Sequence, residues 1–131
     1  MGWASERTAI EGRLNANWTI TPIKYEWAPF QETRAPYVAL FIRNGDRSQI
    51  TLGGSPTIRS VSVVIVQIFV PHEQGTALAK AYADSIAAIF DRVQIVTSDS
   101  NLISFQTASA EAVGENDGWT QFNVTVPYTR D

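Results

Sequence analysis

The chain has 131 residues, of which 44% are hydrophobic and 18% are charged, a composition typical of one soluble globular domain. Its formal net charge of -3 argues against binding of nucleic acid through a basic patch. The absence of cysteine excludes disulfides, thiolate metal sites and cysteine nucleophiles, and the single histidine, His72, excludes a metal site built from several imidazoles.

The first third of the chain predicts one helix followed by an extended segment. Residues 5–15 predict the helix, because Ile10 and Leu14 share one face and charged residues occupy most of the rest. Residues 18–27 contain Pro22 and alternate apolar with polar positions, which is typical of an edge strand.

A clear second strand is predicted at residues 37–43, directly after Pro36. Residues 44–56 follow with two turn signals, Asn44-Gly45 and the Gly-Gly-Ser-Pro sequence at 53–56. We expect residues 44–56 to form one projecting hairpin or loop that is mobile in an isolated subunit.

The stretch from residue 58 to residue 90 organises the fold. Residues 58–70 are rich in Val and Ile and predict a central strand, which Pro71 ends because proline has no donor for the ladder. From Thr76 to Phe90 the large apolar residues recur at helical spacing and most other positions are Ala, which predicts a helix lying close against the sheet.

The C-terminal third predicts further strands. Residues 93–97 and 119–128 give the stronger signals, residues 102–105 and 108–113 the weaker ones, and residues 114–118 form a polar turn. The predicted fold class is therefore α+β, a single domain over residues 1–131 with a mainly antiparallel sheet, two helices packed on one face and a projecting hairpin loop.

The sequence lacks the motifs that common catalytic and phosphate-binding sites require. His72 has no Gly-x-Ser-x-Gly sequence to work with, the glycines at 53 and 54 lack the Lys-Ser/Thr of a phosphate loop, and the spacing of a calcium loop is absent. We therefore predict no catalytic, cofactor-binding or metal site, no cofactor and no enzymatic activity.

The longest apolar run, residues 61–70, is too short to cross a bilayer. Four tryptophans outside the central strand and helix favour protein assembly at least as much as a small-molecule pocket.

Packing and turn signals follow one another in a recognisable order. They are Phe69-Val70-Pro71 with Gly75, the Ala-rich helix ending Ile89-Phe90, Asp117-Gly118-Trp119, and the closing Val124-Thr125-Val126-Pro127-Tyr128. The N-terminal helix, Trp27-Ala28-Pro29-Phe30 and the strand start at Pro36-Tyr37 complete this order. Together they resemble the phage tail terminator-like proteins, the tail terminators or minor tail proteins of siphoviruses.

This resemblance implies a structural protein of the virion tail, assembled in the cytoplasm of the host bacterium. Relatives form a homo-oligomeric ring, commonly a hexamer, that caps the tail tube, ends its polymerisation and provides the surface for head attachment. The implied partners are the tail tube protein and a head completion or connector protein. DNA would pass through the lumen without specific binding, and we expect carboxylates such as Glu73, Asp84 or Asp99 to make that lumen acidic.

A closed ring needs two different surface patches that meet between neighbours. From the exposure expected of turns, we predict that the hairpin region forms one patch and residues 27–34 the other. The oligomer or tube interface would contain Trp27, Phe30, Arg34, Arg43, Asn44, Asp46, Arg47 and Arg59.

Two alternatives stay open from the sequence. One is another head-tail joining or tail-completion protein. The other is a dimeric ferredoxin-like domain that binds a small ligand, which would require a concave pocket lined by Tyr25, Tyr37 or Trp119.

Overall fold

The computed structural model describes residues 3–25, 36–49, 58–71, 75–98, 102–116 and 118–130. These residues form two helices and seven strands in the order α1, β1, β2, β3, α2, β4, β5, β6 and β7. The bounds are α1 Trp3–Asn17, β1 Ile23–Tyr25, β2 Tyr37–Gln49, β3 Ile58–Pro71, α2 Gly75–Phe90, β4 Gln94–Val96, β5 Leu102–Phe105, β6 Ser109–Asn116 and β7 Trp119–Arg130.

The seven strands form one curled, mostly antiparallel sheet. Six of them follow the order β1-β2-β3-β7-β5-β4, and β6 pairs with β7 outside this order. β7 pairs with β3 along its whole length on one side. On its other side, the first half of β7 pairs with β6 and the last three described residues pair with β5. β1 runs parallel to β2, and every other strand pair is antiparallel.

Alternation along the central strands divides the sheet into two faces. One face, called here the helix face, carries fully buried side chains that pack with Ile10 and Leu14 of α1 and with Ile86 and Phe90 of α2. Its strand members include Val38, Leu40, Val64, Val66, Ile68, Val70, Phe122, Val124, Val126 and Tyr128. Each buried side chain of this size contributes about 1.5–3 kcal/mol, so this layer is the main source of stability.

α2 lies flat against the sheet because its buried positions include small residues. Ala79 and Ala83 are buried beside Ile86, while Lys80 and Asp84 are exposed. α1 packs beside α2, and Arg13 Nε of α1 donates a hydrogen bond to the backbone oxygen of Ile89, 2.7 Å away. A cation there satisfies one of the carbonyl groups that a helix leaves open at its C-terminal end.

The predicted α+β class, with a mainly antiparallel sheet and two helices, is confirmed. The predicted turn at Asn44-Gly45 is wrong, because both residues lie inside β2, where the register shifts in a β-bulge between Asn44 and Arg47. A Cβ atom at position 45 would collide with the carbonyl oxygen of Val61, so glycine is required here by the close approach of the β3 backbone. The remainder of the predicted loop, residues 50–56, lies outside the described residues.

The C-terminal boundaries also differ from the sequence prediction. β6 continues to Asn116, so residues 114–116 belong to a strand and not to the predicted turn. Gly114 and Gly118 have φ values of 126° and 82°, a region that favours glycine. β7 continues to Arg130, two residues beyond the predicted end, and this extension brings a charged side chain into the core.

Candidate assembly surfaces

The β2–β3 hairpin extends past the rest of the sheet. The last pair between β3 and β7 joins Ser60 to Arg130, whereas β2 and β3 stay paired through Gln49 and Ile58. Two residue pairs of the hairpin therefore continue beyond the described end of β7. The distal part of this hairpin, residues 43–49 of β2 with residues 58–63 of β3, is called here the hairpin arm, and its tip is available for contact with another subunit or with a partner.

The predicted interface residues fall into three groups. Arg43 and Asn44 have exposed side chains at the base of the hairpin. Asp46, Arg47 and Arg59 belong to the strand backbone of the hairpin arm, where Arg47 pairs with Ser60 and Arg59 with Ser48. Trp27, Phe30 and Arg34 lie outside the described residues. The structure thus brings the hairpin members of the prediction together on one arm.

A buried polar cluster lies beside the base of this arm. The carboxylate of Glu6, from α1, accepts a hydrogen bond from the Tyr128 hydroxyl at 2.8 Å and pairs with Nη1 of Arg130 at 3.3 Å. Glu6 is 2% exposed and Arg130 is 6% exposed. A buried ion pair needs such extra hydrogen bonds to offset the cost of removing two charges from water.

This cluster connects to the hairpin through neighbouring strands. Asn44, Ser62 and Tyr128 pair side by side across β2, β3 and β7. Ser62 Oγ donates to Asn44 Oδ1 at 3.3 Å, and Ser62 is itself buried. A row of polar side chains therefore links the exposed base of the arm to the N-terminal helix.

Tyr128 is held in its neutral form within this cluster. Burial raises the pKa of its hydroxyl well above the ordinary value of 10.0, and the negative charge and hydrogen bond of Glu6 raise it further. Ser62 and the positive charge of Arg130 act in the opposite direction. The phenol consequently remains a hydrogen-bond donor to Glu6 at any physiological pH.

The sequence did not reveal this cluster. Glu6 reads as one of several charged residues around α1, and Arg130 lies beyond the predicted end of the last strand. The one available signal was Tyr128, whose place among the core residues of β7 predicts a buried hydroxyl that requires a partner.

The sheet face opposite the helices, called here the open face, combines an aromatic cluster with polar side chains. Tyr37 stacks on Phe69, with ring centroids 4.8 Å apart, and meets Trp119 edge-on at 5.5 Å. Farther along the strands, partly exposed Gln67 and Asn123 share the face with Phe41 and Ile65. A half-apolar, half-polar sheet face is a surface suited to contact with protein.

Two of the four tryptophans have structural roles in the subunit. Trp18 is 3% exposed, meets Tyr82 of α2 edge-on at 5.3 Å and donates from Nε1 to Thr21 Oγ1 at 2.9 Å. Trp119 is buried beside Tyr37. The rings of these two tryptophans complete the packing of the subunit, so they add nothing to the argument for assembly.

The small-ligand alternative expected a concave pocket lined by Tyr25, Tyr37 or Trp119, whereas the depression seen in the described part of the chain lies elsewhere. A shallow, open depression on the sheet is lined instead by Phe41, Ile42, Arg43, Asn44, Ile65 and Gln67, and so lies at the base of the hairpin arm. Within the described ranges, no group of three or more His, Asp or Glu side chains could hold a metal ion. No helix in the same ranges has the length and apolar character needed to span a membrane.

Comparison with known proteins agrees with this architecture. The family model described as phage tail terminator protein matches residues 7–128. Among solved structures, 23 chains match, and one of them, which carries no functional name, aligns with a TM-score of 0.79 at 16% sequence identity. That alignment covers 100% of this chain and 96% of the other, and at this identity it supports the fold alone. No curated protein is found to match. Because the family model spans nearly the whole sequence, from α1 to the end of β7, the chain belongs to the phage tail terminator family.

Proposed function

We propose that this protein forms a closed ring, six-fold in symmetry, that caps the tail tube of a long-tailed phage. The ring ends polymerisation of the tube and provides the surface to which the head attaches. The observation that carries the proposal is the family match over residues 7–128, which makes the chain a structural protein of the phage tail. Membership of this family also implies a location in the virion tail.

The hairpin arm supports a role in docking. It carries arginines at positions 43, 47 and 59 and an aspartate at position 46, and its base is fastened to α1 through the polar row from Asn44 to Glu6. Contacts that hold the base of the arm in place reduce the entropy lost when the arm binds. We propose that the arm contacts the tube or the neighbouring subunit, together with the segment that contains Trp27, Phe30 and Arg34.

Termination follows if the two faces of the ring differ. A terminator that presents tube-like contacts on one face of its ring, and withholds them on the other, binds a completed tube and offers no site for the next tube subunit. DNA would pass through the lumen without specific binding, and a head completion or connector protein would bind the opposite face. Asp84, exposed on α2, is the described member of the predicted acidic lumen; Glu73 and Asp99 lie outside the described residues.

The test is an elongation assay with the purified tail tube protein of the same phage. Addition of this protein should stop tube growth and yield tubes with one ring at one end. Replacement of residues 49–56 by a short Asn-Gly turn, or the charge reversal Arg43→Glu, should abolish capping. The matched control is Lys80→Glu, an equal charge change on the exposed side of α2.

Two outcomes separate the parts of the proposal. Capping that survives both hairpin variants would overturn the docking role of the arm while leaving termination intact. Tubes that elongate without limit in the presence of the wild-type protein would overturn termination itself.

A further inference from the structure

Among the strands paired on one side only, β1 and β6 lie on opposite sides of the β2-β3-β7 core of the sheet, and β4 is a further edge strand beyond β5. β1 pairs with β2 on one side, and β6 pairs with β7 on one side. On the other side of each, no strand among residues 3–25, 36–49, 58–71, 75–98, 102–116 and 118–130 is paired. An open edge presents unpaired N–H and C=O groups, and these bind readily to another strand.

The strand register puts the two open edges at the same level. Starting from Lys24 of β1, the paired residues across the sheet are Ala39, Gln67, Asn123 and Glu111. Residues that pair directly across strands share a face, so Lys24 and Glu111 end one row on the open face. Both residues are exposed. One subunit therefore carries a lysine at one edge and a glutamate at the matching position of the other edge.

Strand direction also fits the two edges to each other. β1 is parallel to β2, and the three steps from β2 through β3 and β7 to β6 are all antiparallel. β6 consequently runs opposite to β1. A second copy, rotated about an axis roughly parallel to the strands, would present β6 antiparallel to β1 of the first copy.

The outer edge of β6 suits a close approach. Ala110 and Ala112, on either side of Glu111, are small and exposed, and the exposed Val113 adds apolar surface. Ala110 and Ala112 lie on the face opposite Glu111, where their small side chains leave room for the incoming strand.

We propose that β1 of one copy pairs antiparallel with β6 of the next, with Lys24 facing Glu111 across the junction. This inference rests on the proposed ring, and it names the contact that joins its subunits. The contact is heterologous, as a cyclic ring requires, since two different edges of the same chain meet. Three residues of β1 offer on the order of two to four backbone hydrogen bonds, so the junction sets register and polarity while other surfaces add affinity.

Charge reversal provides the first test. Lys24→Glu alone and Glu111→Lys alone each put like charges at every junction, and the concentration for half-maximal assembly should rise roughly tenfold. An equimolar mixture of the two variants should assemble like the wild type, because an alternating ring restores an opposite-charge pair at each junction. The double variant Lys24→Glu/Glu111→Lys should also be restored. Lys80→Glu is the matched control and should assemble normally.

Disulfide cross-linking provides the second test. Because the sequence has no cysteine, the introduced cysteines are the only thiols that can react. Within one chain, positions 24 and 111 are four strand spacings apart, about 19 Å, far beyond the reach of a disulfide. Oxidation of Lys24→Cys/Glu111→Cys should therefore give only intermolecular bonds, seen as a ladder up to the ring size on a non-reducing gel. Lys80→Cys/Glu111→Cys should give no ladder.

The outcomes separate this inference from the proposed function. Wild-type rings that form while the cysteine pair fails to cross-link, or while both charge reversals assemble normally, would overturn the β1–β6 junction and leave the ring intact. A wild-type protein that forms no ring, alone or on tubes, would overturn both.

Discussion

The buried pair of Glu6 and Arg130 gives the sharpest prediction about stability. The change is Glu6→Met, which removes the carboxylate and leaves the guanidinium of Arg130 buried without its partner. The hydroxyl of Tyr128 loses its acceptor in the same variant. Arg130→Met makes the complementary change, leaving the carboxylate buried with the tyrosine as its remaining donor in the described part of the chain.

The expected cost follows from burial. With Glu6 2% exposed and Arg130 6% exposed, each single change should lower the free energy of unfolding by about 3–5 kcal/mol. For a chain of this length, that corresponds to a fall in Tm of roughly 10–20 °C. The double variant Glu6→Met/Arg130→Met removes both charges and should lose no more than about 2 kcal/mol, because only the tyrosine hydroxyl then lacks its acceptor.

The assay is equilibrium unfolding in urea of the four proteins, at a concentration where sedimentation shows the monomer, since assembly would raise the apparent stability. The double-mutant cycle should give a coupling free energy of at least about 4 kcal/mol. Additive effects, or single variants that lose less than about 1 kcal/mol, would refute the view that this pair is a desolvated unit.

Three further predictions concern single side chains. Folding raises the pKa of the Tyr128 hydroxyl above 10.0, so the unfolded chain loses the hydroxyl proton at a lower pH than the folded chain. The free energy of unfolding should therefore fall above pH 10 by up to about 1.4 kcal/mol per pH unit. Tyr128→Phe should remove this contribution to the pH dependence, as measured by unfolding titrations. Arg92 has a φ of 54° just after α2, so Arg92→Gly should stabilise the chain by about 0.5–1 kcal/mol, whereas Arg92→Ala should give no gain. The buried Thr120 Oγ1 has no hydrogen-bond partner in the described part of the chain, so Thr120→Val should raise the free energy of unfolding by about 1 kcal/mol, and a loss would show that the hydroxyl is satisfied.

The parts of the fold that the sequence predicted are those where periodicity and burial agree. In β7, predicted as a strand at residues 119–128, Phe122, Val124 and Val126 alternate with polar residues and lie on the helix face. The Ala-rich helix α2 begins at Gly75 and ends at Phe90, within one residue of its prediction. Such regular patterns indicate which face of a strand or helix packs against the core.

Tertiary contacts account for the errors. Asn44-Gly45 has the local chemistry of a turn, yet the pairing of β2 with β3 overrides it, and glycine is needed there because the Val61 carbonyl approaches closely. The burial of Glu6 and Arg130 could not be predicted, since neither has a local pattern that distinguishes it from a surface charge. The alignment of Lys24 with Glu111 depends on four strand pairings that only the structure provides.

The proposed assembly of this protein into a ring that caps a tail tube is tested most directly by mass and imaging together. The mass of the purified protein should be determined across concentration and salt, alone and with assembled tail tubes, and the particles imaged by negative-stain electron microscopy. If the protein caps tubes as a ring, closed rings should be seen in solution or on tubes, with one ring at a single end of each tube. A stable two-fold dimer that neither forms rings nor binds tube ends would contradict it.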